Sequence, residues 1–437
     1  MYLAHIQRKM QQGVLLRNSL WMLLGQGLSV VAQAGYFIAI ARLLGSLEYG
    51  MFVGAAASVG MVSQYGSFGS GLLFLRYVSP DHSRFAGYWG NILLSVATFG
   101  TLLVVGLGAV SPWLLHGTDA RIIVLLAIGD CICSQLTTAV SQVFQAFEKM
   151  RYSAILNLLT SVTRMILALV LLFTLHRADA LTWAITSLTI SLLTAVGGVI
   201  TVTRHFGLPE FRPRLFLDRA REGFVFAVSG STTSIYNDVD KAMLAHFGMN
   251  AANGIYTMAY RVVDIATMPI RSVHAAAFPR FFRKGAGAEG LAGTEPLARK
   301  LLSRTAILGA VAGVLMFVCA PLVPIFVGKG FLPSVGALRW LCLIPLFRCF
   351  HLAAGDALAG AGRQGIRLTF QMVAAGANVV LNLLLIPRFS WLGAAWASLA
   401  TDGMLGLFLW TTVLCMMARR RSAARDLLGD AEPAAIG

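Results

Sequence analysis

Apolar residues gather in long, nearly unbroken runs, unlike the alternating or one-faced patterns of soluble strands and helices. Runs of spanning length cover about 18–41, 51–75, 88–112, 122–145, 154–175, 181–203, 223–245, 253–275, 302–323, 333–353, 368–387 and 392–416. Each is close to the roughly 20 residues that carry a helix across about 30 Å of hydrocarbon. The pattern predicts an all-α polytopic membrane protein with about 12 transmembrane helices. The two longest connections, 204–222 and 276–301, are basic and rich in breakers, with Pro209 and Pro213 in the first and a Gly/Ala stretch from Gly285 to Gly293 in the second. The first reads as a hinge between two six-helix lobes. The predicted division is therefore 1–17 as N-terminus, 18–203 as N-lobe, 204–222 as linker, 223–416 as C-lobe and 417–437 as a basic tail.

Composition fits this reading. Only 12% of the 437 residues are charged and 57% are apolar, against about 25% charged in soluble domains. The net charge of +16 would point to nucleic acid in a soluble chain, but no recognition helix or zinc module is present, and the basic residues punctuate the apolar runs on alternate sides. Of the 35 Lys and Arg, six fall within spans, five (Arg42, Arg121, Arg177, Lys329, Arg388) lie on one side, and the other 24, counting Arg304 at the edge of its run with the connection before it, lie on the opposite side with both termini. Positive charge marks the cytoplasmic face, so both ends are predicted to be cytoplasmic in a bacterial inner membrane.

Chemistry of other kinds is not signalled. Cys131 and Cys133 form a CxC with no second cluster, and the remaining cysteines sit in or beside apolar runs. The histidines show no ligand spacing, so no metal site is expected. No Ser/His/acid set or Gly-rich phosphate loop is visible, which argues against an enzyme and against ATP hydrolysis. Trp89, Trp113, Trp183, Trp340, Trp391 and Trp410 fall near predicted interfaces and read as belt anchors.

A faint internal echo links the halves. LLGSLEYGMFVGAA follows the first run and HFGMNAANGIYTMA the seventh; Gly45, Gly50 and Phe52 align with Gly248, Gly254 and Tyr256 if the second copy carries one extra residue. Both segments lie on the outer side, so the implied repeats run parallel.

Ala41-Arg42-Leu43-Leu44-Gly45-Ser46-Leu47-Glu48-Tyr49-Gly50-Met51-Phe52, then Asp240-Lys241-Ala242-Met243-Leu244, and finally Ala359-Gly360-Ala361-Gly362 ahead of Asn378, Asn382, Pro387 and Gly393 resemble the bacterial polysaccharide and O-antigen flippases of the multidrug/oligosaccharidyl-lipid/polysaccharide (MOP) exporter superfamily. The resemblance covers about 18–416. It implies a MOP flippase-like fold and transfer of a polyprenyl-pyrophosphate-linked oligosaccharide from the inner to the outer leaflet, with no cofactor, in the company of polysaccharide polymerase or assembly proteins. A drug/cation antiporter and a peptidoglycan lipid-precursor flippase are the alternatives, with a membrane glycosyltransferase or ligase, or an assembly scaffold, behind them.

Charge inside the spans carries the candidate sites. A charged side chain at the bilayer centre costs at least about 2.5–3.5 kcal/mol on insertion scales. Six basic residues lie there: Arg164, Lys241, Arg261, Arg271, Arg339 and Arg348. Arg271 and Arg348 are near predicted cytoplasmic ends and can snorkel. Arg164 and Arg261 are deep, and with Lys241 and Arg339 they form the expected pyrophosphate-binding set, arginine's planar fork suiting phosphate oxygens. Asp238 with Lys241, and Arg261 with Asp264, are i,i+3 pairs that read equally as locked ion pairs. Asp240 and Asp264 would moderate the field. Asp130 and Asp402 lack a same-helix cation and are candidates for coupling to a proton or sodium gradient, although Asp402 can instead bond locally through Thr401. Gln26, Gln33, Gln64, Ser231, Ser234 and Asn237 are candidate sugar-facing groups, or helix-packing contacts. Pro269 is expected to kink or break its helix and so to serve as a gate.

Overall fold

The computed structural model describes residues 2–287 and 290–429, with side chains for 27–287, 290–420 and 422. Among them all regular structure is helical. The first helix, α1 (Tyr2–Ser63), is one run interrupted at Gly45, whose φ of 73° and ψ of 175° turn the chain. After a 3₁₀ turn at Gln64–Gly66 and a left-handed Gly69, α2 (Ser70–Val78) follows, so the predicted 51–75 span is two pieces. Then come α3 (Phe85–Leu114), α4 (Ala120–Ala127), a π turn at Ile128–Cys133, α5 (Ser134–Ala146), α6 (Met150–Leu175), α7 (Ala180–Phe206), α8 (Pro213–His246) and α9 (Asn250–Gly285). The last six are α10 (Leu291–Cys319), α11 (Val323–Val327), α12 (Ser334–Leu341), α13 (Ile344–Gly360), α14 (Gln364–Phe389) and α15 (Trp391–Gly429).

Nine helical stretches among the described residues are long and apolar enough to cross a membrane. The first, Gly27–Gly66, contains the Gly45 break and so holds two arms. Two further helices, α8 with 34 residues and α9 with 36, match the others in length and are kept out of the nine by their polar content. Both long connections are shorter than expected. Pro213 opens α8 as its first residue, a place where its missing N–H costs nothing, which leaves only 207–212 outside helix. In the second connection α9 runs on to Gly285 and α10 starts at Leu291. Nor does Pro269 break its helix: α9 continues through both Pro269 and Pro279, since one lost ladder bond bends a long helix more readily than it ends it.

Two compact units emerge. Unit 1 comprises Met1–Gly254 with Phe326–Gly330, and unit 2 comprises Ile255–Ile325 with Phe331–Gly437. Glycine contacts explain why α8 goes with unit 1 despite following the basic linker. A Cβ on Gly69 would lie 2.3 Å from the Gly223 carbonyl oxygen, and one on Gly223 would lie 2.5 Å from that of Phe68. Beyond the other end of α8, a Cβ on Gly50 would meet the Asn250 oxygen at 1.7 Å and one on Gly254 would meet the Ser46 oxygen at 2.1 Å. The backbones cross at a distance only glycine permits, and the crossing is reciprocal: each member of the internal echo packs on the other. Gly45 and Gly248 both have positive φ, 73° and 71°, and the register across the crossing pairs Ser46 with Gly254 and Gly50 with Asn250, so the two copies meet in opposite directions.

The unit 1 core packs Phe74, Phe85, Trp89, Val140, Val143, Phe144 and Val202 together. Trp89 and Trp183 are fully buried, Trp89 donating from Nε1 to Thr203 Oγ1 at 3.3 Å. The belt role expected of these two gives way to core packing because α3 and α7 turn those faces inward. Trp113 and Trp340, 72% and 48% exposed, are placed as anchors would be. In unit 2, α13 is the most enclosed span, its Ala353, Ala354, Gly355, Ala357 and Gly360 all buried.

Candidate functional site: a hydroxyl-lined cavity and a buried arginine network

Polar residues on α6 recur at Asn157, Thr160, Ser161 and Arg164, which one helical turn after another places on a single face. That face closes one wall of a cavity of about 370 Å³ in unit 1. Ser29 and Gln33 of α1, Ser134, Thr137 and Thr138 of α5, and Ser191 and Thr194 of α7 complete it, each set again spaced by a turn, with Ala154 the one apolar member. Arg164, at the middle of α6, donates from Nη2 to Ser191 Oγ at 3.1 Å, and its Nε is buried with no hydrogen-bond partner. No carboxylate among the described residues is within ion-pairing distance of it. Asp130, on the π turn, feels the Arg164 charge from farther off. A chamber of about 90 Å³ adjoins the cavity through the shared Thr138 and is lined by Gln64, Ser67, Gln135 and Gln142, with Ser67 donating to Gln135 Oε1 at 2.9 Å.

Unit 2 handles charge by packing. Arg348 of α13 is buried, donating from Nη2 to Tyr260 Oη and from Nη1 to Thr267 Oγ1, both at 3.1 Å. It also lies 3.5 Å from Asp264 and 3.9 Å from Asp402. Arg261 and Arg271 approach the same Asp264 at 3.8 and 3.9 Å. Within this cluster three guanidiniums face two carboxylates, an excess of one positive charge. His351 Nε2 lies 4.0 Å from Asp402. Farther along α13, Asp356 accepts from His274 Nδ1 at 2.7 Å and faces Arg367 at 3.6 Å.

The predicted residues therefore sort by environment. Arg164, Gln33 and Gln64 line polar space. Lys241 is buried against Asp238 at 2.5 Å and the Asn237 carbonyl at 3.0 Å, so the structure commits it to the i,i+3 pair. Its backbone N–H bonds Asp240 Oδ1 at 2.8 Å. Arg339 is exposed and stacks over the Phe317 ring at 5.1 Å. Ser231 donates to the Met61 carbonyl at 2.6 Å, a packing contact, and Asn237 donates to the Thr233 carbonyl; Ser234 is half-buried on α8. The Gln26 side chain lies outside the described residues. Arg348, expected to snorkel, is instead the centre of the unit 2 network, and Asp402 finds its cations across helices. Asp356, His274, His351 and Arg367 are not among the candidate site residues that the sequence offers; an acid and an arginine on one apolar helix, Asp356 and Arg348, are the available signal. Among the described residues no group of three or more His, Cys, Asp or Glu is arranged for a metal ion.

A family described as polysaccharide biosynthesis protein matches residues 15–284, well over half the chain. The chain belongs to that family. The match takes in most of unit 1, with Arg164, and the α9 segment with Arg261, Asp264 and Arg271. The uncharacterised membrane protein MJ1068 of Methanocaldococcus jannaschii is 20% identical over 409 residues, which cover 86% of this chain and 79% of that protein. Solved structures of like fold include a MOP superfamily transporter from Pyrococcus furiosus, 12% identical with a TM-score of 0.59 over 92% of this chain and 96% of that one. An inward-facing multidrug resistance MATE transporter is 13% identical, with a TM-score of 0.60 over 93% and 95%. The MATE multidrug transporter DinF-BH, solved in a complex, is 16% identical, with a TM-score of 0.61 over 94% and 96%. This member of the polysaccharide biosynthesis family thus has the MOP superfamily fold, shared with MATE transporters.

Proposed function

We propose that the protein is an inner-membrane exporter that carries a polyprenyl-pyrophosphate-linked oligosaccharide from the inner to the outer leaflet by alternating access. In this reading the chain crosses the membrane 12 times, the Gly45-kinked run supplying two crossings and α8 and α9 one each, with both termini cytoplasmic and two six-helix lobes. The carrying observation is the excess of arginine over carboxylate around Asp264 and Asp402. A surplus of positive charge at membrane depth is stable only against an anion or water, and arginine's fork fits phosphate oxygens. Arg261 and Arg271, the more open members at 32% and 51% side-chain exposure, are the contact residues, and the buried Arg348 holds Asp264 in place between them. Asp130 and Asp402 are the groups through which a proton or sodium gradient would couple, and polysaccharide polymerase or assembly proteins would receive the product.

Reconstitution into vesicles with a fluorescent undecaprenyl-pyrophosphate oligosaccharide tests this: the wild-type protein should speed arrival in the outer leaflet at least tenfold over empty vesicles, and Arg261→Gln with Arg271→Gln should remove most of the gain. Equal rates with and without protein sink the reading. The multidrug transporters among the solved structures of like fold favour a second reading, export of a drug or organic cation, and they speak for it more directly than they do for a sugar lipid. Efflux of a fluorescent organic cation from vesicles that fail to move the lipid-linked sugar would select it.

A further inference from the structure

The cavity against Arg164 differs from the unit 2 network in having one charge in its lining, no carboxylate paired directly with it, and room. Its volume, about 370 Å³, lies within the range of small-molecule pockets, roughly 300–1,000 Å³. Such pockets are usually walled by apolar and aromatic side chains; this one has no aromatic member and one alanine, every other lining residue bearing a hydroxyl, an amide or the guanidinium. Thr137, Thr160, Ser161 and Thr194 each donate their hydroxyl proton to a carbonyl four residues back in the chain, so their oxygens face the cavity as acceptors. Asn157 brings amide donors and an acceptor to the same wall. A ligand matched to these walls presents many hydroxyl groups, each both donor and acceptor, as a pyranose does.

The charge count narrows the ligand further. Arg164 lies mid-way along a helix long and apolar enough to span the bilayer, keeps a buried Nε without a partner, and has no carboxylate among the described residues at ion-pairing distance; Asp130, the acid that feels its charge from farther off, is not part of the lining. A pyrophosphate diester would bring two negative charges to a single cation; one carboxylate balances it. We propose that this cavity is a saccharide subsite selective for a sugar bearing one carboxylate, a uronate, whose oxygens take the Arg164 guanidinium while the ring hydroxyls bond the Thr and Ser oxygens. The inference deepens the proposed export of a saccharide-bearing lipid and rests on that reading for its biological setting, but the binding itself requires no lipid.

The full chain in nanodiscs is titrated with cellobiose and with cellobiuronic acid, which differ by one carboxylate, and with inorganic pyrophosphate, binding being followed by saturation-transfer NMR and calorimetry. The wild-type protein should bind the uronate at least tenfold more tightly than cellobiose. Arg164→Gln should erase that preference while leaving cellobiose affinity within about twofold, Arg164→Lys should keep part of it, and the isosteric Thr160→Val should weaken both disaccharides alike. Equal wild-type affinities, no binding of either disaccharide, or pyrophosphate displacing the uronate with the higher affinity would each overturn the assignment. Uronate binding by a protein that does not move the lipid-linked sugar leaves the subsite standing and removes the transport reading. Transport of acidic and neutral cargo at equal rates, both indifferent to Arg164→Gln, removes the subsite alone.

Discussion

Arg164 and Arg348 pose one physical problem and receive opposite solutions. Both are guanidiniums in apolar spans, where a bare charge is expensive. Around Arg348 the protein builds the compensation itself: Tyr260, Thr267, Asp264 and Asp402 converge on it from two other helices and the side chain is 6% exposed. Around Arg164 it leaves open space walled by neutral hydroxyls, with one bond to Ser191. An arginine locked among protein partners is part of the architecture and tunes its more open neighbours; one left facing polar space is available to a ligand. Burial alone would have ranked Arg348 as the functional group, and it is the supply of partners that separates the two roles.

Four substitutions test that contrast. The largest effect is expected from Arg348→Leu, which leaves Asp264 and Asp402 without their shared cation; breaking a buried pair in this way costs about 3–5 kcal/mol. Thermal unfolding in detergent should register it as a steep fall, and adding Asp402→Leu should restore part of the loss. His274→Gln comes next: it removes the partner of Asp356 at 2.7 Å, with an expected cost of about 1–3 kcal/mol, measurable by the same melt. Asp179→Ala in unit 1 deletes a helix cap, the carboxylate that accepts the Thr182 backbone N–H at 3.0 Å, and should cost about 1 kcal/mol.

That cap also has a pH signature. The hydrogen bonds from Thr182 hold the Asp179 carboxyl below its usual range, so its contribution is complete above the unfolded value of about 4 and disappears as pH falls through the lower folded value. A pH series of melts on wild type and Asp179→Ala should therefore converge in acid. The smallest stability effect belongs to Arg164→Gln, about 0.5 kcal/mol or less, since no ion pair is broken. A drop as large as that of Arg348→Leu would erase the distinction between the two sites.

The patterns visible in the chain were those set by local spacing. Twelve apolar runs predicted helices at almost every place where helices stand, and the i,i+3 relation foretold Asp238 with Lys241 and Arg261 with Asp264, at 2.5 and 3.8 Å. The Asn157, Thr160, Ser161, Arg164 face is equally legible from its i, i+3, i+4, i+7 spacing. Partners from other helices were invisible. Asp402 looked solitary because Arg348 is 54 positions away in sequence, and Arg348 looked peripheral because depth along its own run says nothing about which face it occupies. Trp89 and Trp183 read as interface anchors for the same reason.

By itself the sequence determined that the chain is helical and membrane-spanning, since hydrocarbon leaves no other way to satisfy backbone groups in runs of this length. It also determined where close backbone crossings are permitted, because the absence of a side chain at Gly50, Gly69, Gly223 and Gly254 is a property of each residue. Only the tertiary structure decided which helices use those crossings, which arginine acquires carboxylate partners and which is left beside a cavity. A buried charge is compensated by whatever groups lie within a few ångströms in space, and helices distant in sequence have to pack before that neighbourhood exists.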